Sequence, residues 1–460
     1  MPDTRTITEW NPNDERFWAR TGKRVAQRNL FWSILAEFLG FSVWQLWSAV
    51  AVNLNKVGFH LSLGQLFWLV SIPGLVGATM RFPYGFVVAR VGGRNWTVIS
   101  AALLLIPSAL LAVLVQHPAT PYWALILAAA AAGFGGGNFA SSMANISYFY
   151  PDNRKGWALG LNAAGGNLGV AVVQFVVPAV IGLGVLGLAA KGATHLSLQW
   201  AGLVWIPFIV AAVVGAFFFM NNLSVARATI REQLVIVRRR PTWIMSWLYI
   251  GTFGSFIGYS AAFPLLIKSQ FPLVNPLEFA FLGPLLGSAA RPFGGRLSDR
   301  LGGASVTFVS FIVMMLATLG VIWTLAMKSS GAFPLFLVLF LLLFVTSGIG
   351  NGSTFRMIPV AFRAWHLHRT AAAGAISADR SDRDARKEAA AALGFVSAIA
   401  AYGSFVIPQA FNASIASTGS AATALLGFVL FYGTCVGVTW WCFIRRTTRA
   451  SVPALAEAGV

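Results

Sequence analysis

Twelve stretches of about 20 or more mostly apolar residues set the first constraint on this chain. Helices of that length cross the hydrocarbon core of a bilayer, and a helix pairs every backbone N–H and C=O there without help from water. The stretches fall at about 30–52, 64–89, 96–115, 121–149, 156–182, 198–220, 243–267, 278–298, 304–326, 333–361, 389–411 and 421–443. Composition agrees, since 57% of the 460 residues are hydrophobic and only 10% are charged, against about a quarter charged in a soluble domain. The first stretch is too long for the apolar core of a cleavable signal peptide and counts as span 1. The expected fold class is an all-α membrane protein with twelve transmembrane helices. Cys435 and Cys442, both in the last span, suit small apolar fillers, and neither a metal site nor a cofactor is expected.

A formal net charge of +19 would fit a nucleic-acid partner if the basic residues clustered on one soluble face. Instead, most Lys and Arg lie in the termini and in the loops after spans 2, 4, 6, 8 and 10. The opposite loops hold only Lys56, Lys191, Lys268 and Lys328. This is the positive-inside pattern, so both termini are expected in the cytoplasm and the lipid bilayer, not nucleic acid, accounts for the basicity. An enzyme is not expected either, because no Ser/His/Asp arrangement, metal-ligand spacing or phosphate-cradling loop stands at a span end.

Span 2 closes with Arg81, Gly85, Arg90, Gly92 and Gly93, and span 8 closes with Arg291, Gly295, Arg300, Gly302 and Gly303. All five pairs share an offset of 210 residues (81 to 291, 90 to 300), the mark of an internal duplication. Gly137 and Asn138 in span 4 recur as Gly350 and Asn351 in span 10, and the Ala-Leu-Gly beginning at Ala158 recurs at Ala392. The expected organisation is a cytoplasmic segment 1–29, a six-helix half 30–220, a cytoplasmic linker 221–242, a second six-helix half 243–444 and a cytoplasmic tail 445–460. The linker carries Arg227, Arg231 and Arg238 to Arg240 and reads as an interfacial helix with a basic, solvated face, while 363–388 reads as a loop. Here the chain resembles the major facilitator superfamily: Gly295 to Gly303 matches the superfamily motif between helices 8 and 9, with Asp299 and Arg300 in place. The first half keeps Arg90 but has Ala89 where the acidic residue belongs. The resemblance implies a cytoplasmic clasp, formed by Asp299, Arg300 and Arg90, between helices that slide during transport.

Arg81, Arg291 and Arg356 fall inside spans 2, 8 and 10. A guanidinium in the membrane cannot shed its proton and needs a partner or a wet cavity. Of the 14 Asp and Glu, only Glu37 reads as deep, so the spans carry a positive surplus that attracts an anion. Arg81 and Arg291 hold equivalent positions in the two halves, where pseudosymmetry directs both toward the midplane. Their planar forks suit a small planar oxyanion better than a lysine point charge would. Glycines in spans 4, 5, 10 and 11 serve close helix packing. The amides of Asn138, Asn145, Asn162, Asn167 and Asn351 donate either to an anion or to neighbouring backbone.

The run from Gly137 to Ser147, followed by Ala158 to Asn162 and Gly166 to Gly169, is similar to the nitrate signature of the NarK family of nitrate/nitrite porters. Ala391 to Ala398 is similar to the family's second signature in helix 11, and the likeness extends from Asn29 at the start of span 1 to Pro408. It implies that Arg81 and Arg291 clasp the substrate, that Tyr249 hydrogen-bonds it, that Phe139 and Phe253 wall it, and that Asn162, Gly166 and Asn167 line it. Nitrate and nitrite come from this resemblance alone; the residues themselves indicate a small anion, with a larger organic anion as the alternative. Two departures stand out, because the bacterial antiporters of the family are apolar at Glu37 and have Gln at Arg356. Glu37 is either a proton site or a fixed countercharge to Arg356, and Arg356 is a gate, that partner or a lure for anions entering from the cytoplasm. The expected function is alternating-access nitrate transport for assimilation by a monomer in the bacterial inner membrane. Symport with protons is expected, with nitrate/nitrite antiport as the alternative.

Overall fold

The computed structural model describes residues 5–183, 196–224, 235–327, 329–373 and 378–445. Twelve long helical segments follow one another in these residues: α1 (Glu15–Val57), α2 (Leu63–Val91), α3 (Gly93–Leu114), α4 (Tyr122–Phe149), α5 (Asp152–Gly182), α6 (Trp200–Phe219) and α7 (Arg240–Gln270). Then come α8 (Leu282–Leu301), α9 (Gly303–Ala326), α10 (Phe333–Leu367), α11 (Lys387–Thr418) and α12 (Ala422–Ile444). Eleven of them are long and apolar enough to cross a membrane. The exception is α8, whose last turns carry Arg291, Arg296, Asp299 and Arg300.

Helix α1 begins well before the apolar stretch predicts. Asp14 caps its first turn, accepting from the backbone N–H of Arg16 (2.8 Å) and Phe17 (3.2 Å), and such a cap satisfies donors that a helix end leaves orphaned. Ahead of it, the strand β1 (Thr6–Ile7) pairs in parallel with β2 (Asn222–Leu223) after α6. Trp10 Nε1 donates to the Tyr148 carbonyl (3.0 Å), and Trp18 packs on Tyr150. Burial pushes the Tyr150 hydroxyl up to about 12, so it stays neutral at any physiological pH. The N-terminal segment is thus a strap across the ends of α4 and α6. The region expected as a loop at 363–388 is instead largely helical, with α10 continuing as Phe333–Ala373 and the next helix starting as Ala378–Ala401. The interfacial helix expected around Arg227 and Arg231 lies outside the described residues, as do Lys191, Lys328 and the tail beyond Arg445.

Backbone contacts divide the chain into two compact units. The first is Met1–Arg227 with Ile257–Leu285 and Ala401–Ala421; the second is Ala228–Phe256, Leu286–Ala400 and Ala422–Val460. Within the first, Gln174 Nε2 donates to the Ser260 carbonyl (2.7 Å), Lys268 Nζ to the Val52 carbonyl (2.7 Å) and Gln409 Nε2 to Ser71 Oγ (2.6 Å). These bonds tie the ends of α7 and α11 to α1, α2 and α5.

The sequence repeat has a backbone counterpart. Gly92 (φ 91°, ψ 149°) and Gly302 (φ 85°, ψ 135°) each turn the chain from one helix into the next, in a region that side-chain-bearing residues avoid. Gly302→Ala is expected to cost about 1–3 kcal/mol. Gly92→Ala should cost more, because its Cβ would also sit 2.4 Å from Asn222 Oδ1; thermal unfolding of the two purified variants checks the order.

Candidate anion site

Arg81 lies in α2 and is 1% exposed. Its Nε donates to the Gly136 carbonyl on α4 (2.9 Å), and its Cζ stands over the rings of Phe139 (4.7 Å), Trp44 (5.3 Å) and Phe41 (5.9 Å). A ring face attracts a cation at these separations, and the attraction grows when water is excluded. Trp44 in turn is fixed by donation from its Nε1 to the Pro73 carbonyl (2.7 Å). The guanidinium therefore sits among aromatic rings, whose faces offset part of the cost of burying a cation.

In the second unit Arg291 is 4% exposed. Its Nη2 donates to the Tyr249 hydroxyl (3.4 Å) and its Cζ stands 5.3 Å from the Phe355 ring. Tyr249 immediately precedes a π turn, Ile250–Gly254, a local widening often found at functional sites. The turn carries Phe253, stacked on Tyr249 with centroids 5.4 Å apart. Thr252 Oγ1, from the same turn, pairs with Thr354 Oγ1 on α10 (3.0 Å). Arg291, Tyr249 and Phe253 are thus gathered in one unit, and Arg81 and Phe139 in the other. Phe41, Trp44 and Phe355 join them unannounced by any motif; for Phe41 and Trp44, helical spacing from Glu37 is the available signal.

Glu37 on α1 is fully buried. Ser142 Oγ donates to its Oε2, and Asn162 Nδ2 donates to the same oxygen (2.6 Å) and to Ser142 Oγ (2.6 Å). A Cβ on Gly166 would fall 2.4 Å from Glu37 Oε1, so this glycine makes room for the carboxyl. Asn162 and Gly166, which the resemblance assigns to the substrate, stand against Glu37. Asn167 is fully buried as well, and neither amide atom has a hydrogen-bond partner among the described residues; the same holds for Asn351 on α10. Native proteins leave few such amides unpaired, which suits a ligand contact. Gly166→Ala is expected to destabilise by about 1–3 kcal/mol through overpacking, and Glu37→Ala should recover much of that loss in a double-mutant cycle of thermal unfolding.

Arg356 departs from the expectation of a buried gate cation. It is exposed and pairs with Asp299, both side chains being about half accessible. Of the three arginines that the sequence places inside spans, Arg81 and Arg291 are buried, the carboxylate partner of Arg356 is Asp299, and Glu37 is held by Ser142 and Asn162. Arg90 and Arg300 lie exposed at the ends of α2 and α8. A further ionic cluster joins the segment before α7 to α10 and α11: Arg239 grips Glu388 through Nε (2.9 Å) and Nη2 (2.6 Å), and His366 Nε2 lies 3.1 Å from the same carboxylate.

Comparison with known proteins places this arrangement in a lineage. Residues 30–378 match the Major Facilitator Superfamily model. The nitrate/nitrite transporter NarU of Salmonella typhimurium is 46% identical over 449 residues, covering 96% of this chain and 97% of the relative. NarU of Escherichia coli is 46% identical over 446 residues, covering 96% of each chain. A probable nitrate/nitrite antiporter, NarK2 of Thermus thermophilus, is 39% identical over 454 residues, covering 96% of this chain and 97% of the relative. The chain is a member of the major facilitator superfamily, a family of membrane transporters rather than enzymes, and within it belongs to the NarK-type nitrate/nitrite porters.

Proposed function

We propose that this chain carries nitrate, and nitrite with it, across the bacterial inner membrane by alternating access, and that protons drive net nitrate uptake through Glu37. The buried Arg81, ringed by Phe41, Trp44 and Phe139, supports the anion part of this reading, since a guanidinium presents its donors in a plane that matches a flat oxyanion. Arg291, with Tyr249 beside it, supplies the equivalent group from the other half of the repeat. The names of the relatives supply the identity of the anion. The working organisation is a monomer of two six-helix halves, 30–220 and 243–444, with 1–29, the linker 221–242 and 445–460 in the cytoplasm. Asp299 with Arg356, and Arg300 and Arg90 at the matching helix ends, form the cytoplasmic clasps.

Nitrate entering a negative-inside cell needs more than one proton per anion to be drawn inward by the potential, and a buried carboxyl is a place to load one. Exchange of nitrate for nitrite without protons is the second reading, favoured by the name of the Thermus thermophilus relative. The substrate assignment is tested by competition in proteoliposomes. Nitrite should compete with labelled nitrate, whereas phosphate and small carboxylates should not; displacement by the organic acids would assign the site to a larger anion.

A further inference from the structure

The amide of Asn162 sits on Glu37. Its Nδ2 lies 2.6 Å from both Glu37 Oε2 and Ser142 Oγ, the side chain is fully buried, and Oδ1 has no partner among the described residues. We propose that Asn162 and Ser142 are positioning residues for the coupled proton: they hold the Glu37 carboxyl in either charge state and set the pH at which it loads. This rests on the reading that Glu37 carries that proton.

The chemistry of the cradle supports the role. A carboxylate accepts only, whereas a protonated carboxyl must also donate. The amide of Asn162 presents N–H to the first, and by turning over presents its spare Oδ1 to the second. The Ser142 hydroxyl donates or accepts as required. Neither group brings a charge of its own, so both serve the carboxyl in either protonation state. Gly166 closes the cradle by backbone, at a position where any side chain would displace the carboxyl.

The cradle shares two helices with the arginine cage. Phe41 lies one turn along α1 from Glu37, and Phe139 lies one turn along α4 from Ser142; both rings stand against Arg81. A change at the carboxyl can therefore reach Arg81 through either helix. On the helices packed against α1 the charged groups are Arg81 and Arg90 on α2, Arg94 on α3, Asp152, Arg154 and Lys155 at the start of α5, and Lys268 on α7, which donates to the Val52 carbonyl. The tyrosines are Tyr84, Tyr122 and Tyr148, with Tyr259 on α7 and Tyr402 on α11, and α6 carries no titratable group.

The test is nitrate uptake into proteoliposomes as a function of external pH for the wild type, Glu37→Gln, Asn162→Leu and Ser142→Ala. Donors to a carboxylate favour its charged form, so removing one makes protonation easier. The falling limb of uptake should move to higher pH by about one to two units in Asn162→Leu. Ser142→Ala should move it the same way, and KM for nitrate at the acid plateau should change little in either variant. An unmoved limb with a raised KM in both would overturn the proposal and make Asn162 an anion ligand. Should Asn162→Leu fail to insert, Ser142→Ala decides by the same two readings. The Glu37→Gln arm stands apart: if it keeps the wild-type limb, the proton reading itself is wrong, and the proposal falls with it.

Discussion

Lysine at position 81 or 291 is expected to weaken nitrate transport by about ten- to hundredfold for each anion hydrogen bond lost, although the net charge is unchanged. Arg81 performs two tasks at once. Its Nε donates to the Gly136 carbonyl and its Cζ stands 4.7 Å from the centre of the Phe139 ring, so one side chain combines a ring contact with a planar fork of donors. A lysine ammonium is a point donor on a flexible stem and cannot reproduce both the stack and the fork. Arg291 is placed by the Phe355 ring and by Tyr249, so Arg291→Lys should fail in the same way, and Tyr249→Phe should show a smaller loss. Uptake kinetics on correctly inserted protein, paired with nitrate-induced thermal stabilisation in detergent, check the effect. Full transport by either lysine variant would remove the arginines from the binding step.

The second large effect is expected from Glu37→Gln. Glutamine keeps the shape of the side chain and an oxygen able to accept from Asn162 and Ser142, so the cradle should survive while the proton site is lost. Uptake driven by a proton gradient should fall to the leak level, and whatever transport remains should depend on internal nitrite. The change also removes the cost of taking a carboxylate out of water, which is high for a buried ion. The variant should therefore melt no lower than the wild type. A lower melting temperature together with intact gradient-driven uptake would give Glu37 a purely structural role.

Most of the fold was legible because lipid imposes one rule on every span, and because the duplication printed the same Arg, Gly and Gly-Gly pattern twice. The backbone repeats it too, in the positive φ of Gly92 and Gly302. Where the reading failed, tertiary context was the missing term. Arg356 sits in an apolar stretch, but a stretch does not reveal which face of a long helix a residue occupies; Arg356 is on an exposed face within reach of Asp299. The start of α1 was missed because polar residues 15–29 form helix through the Asp14 cap and the strap around Trp10 and Trp18 rather than through apolar periodicity. Glu37 was recognisable as the one deep carboxylate, whereas its bonds to Ser142 and Asn162 require α1, α4 and α5 to converge, which no spacing within one helix encodes. Phe41 and Trp44 were hidden by abundance, since 37 phenylalanines and 17 tryptophans make any single ring an ordinary packing residue until a guanidinium is found against it.

Proton-coupled uptake is tested most directly by nitrate entry into proteoliposomes filled with inert buffer, with and without an inward proton gradient. The expected result is accumulation that follows the gradient in the absence of internal nitrite and disappears in Glu37→Gln. Entry that requires internal nitrite and ignores the gradient would contradict it, and would make the protein an exchanger in which Glu37 has a structural role alone.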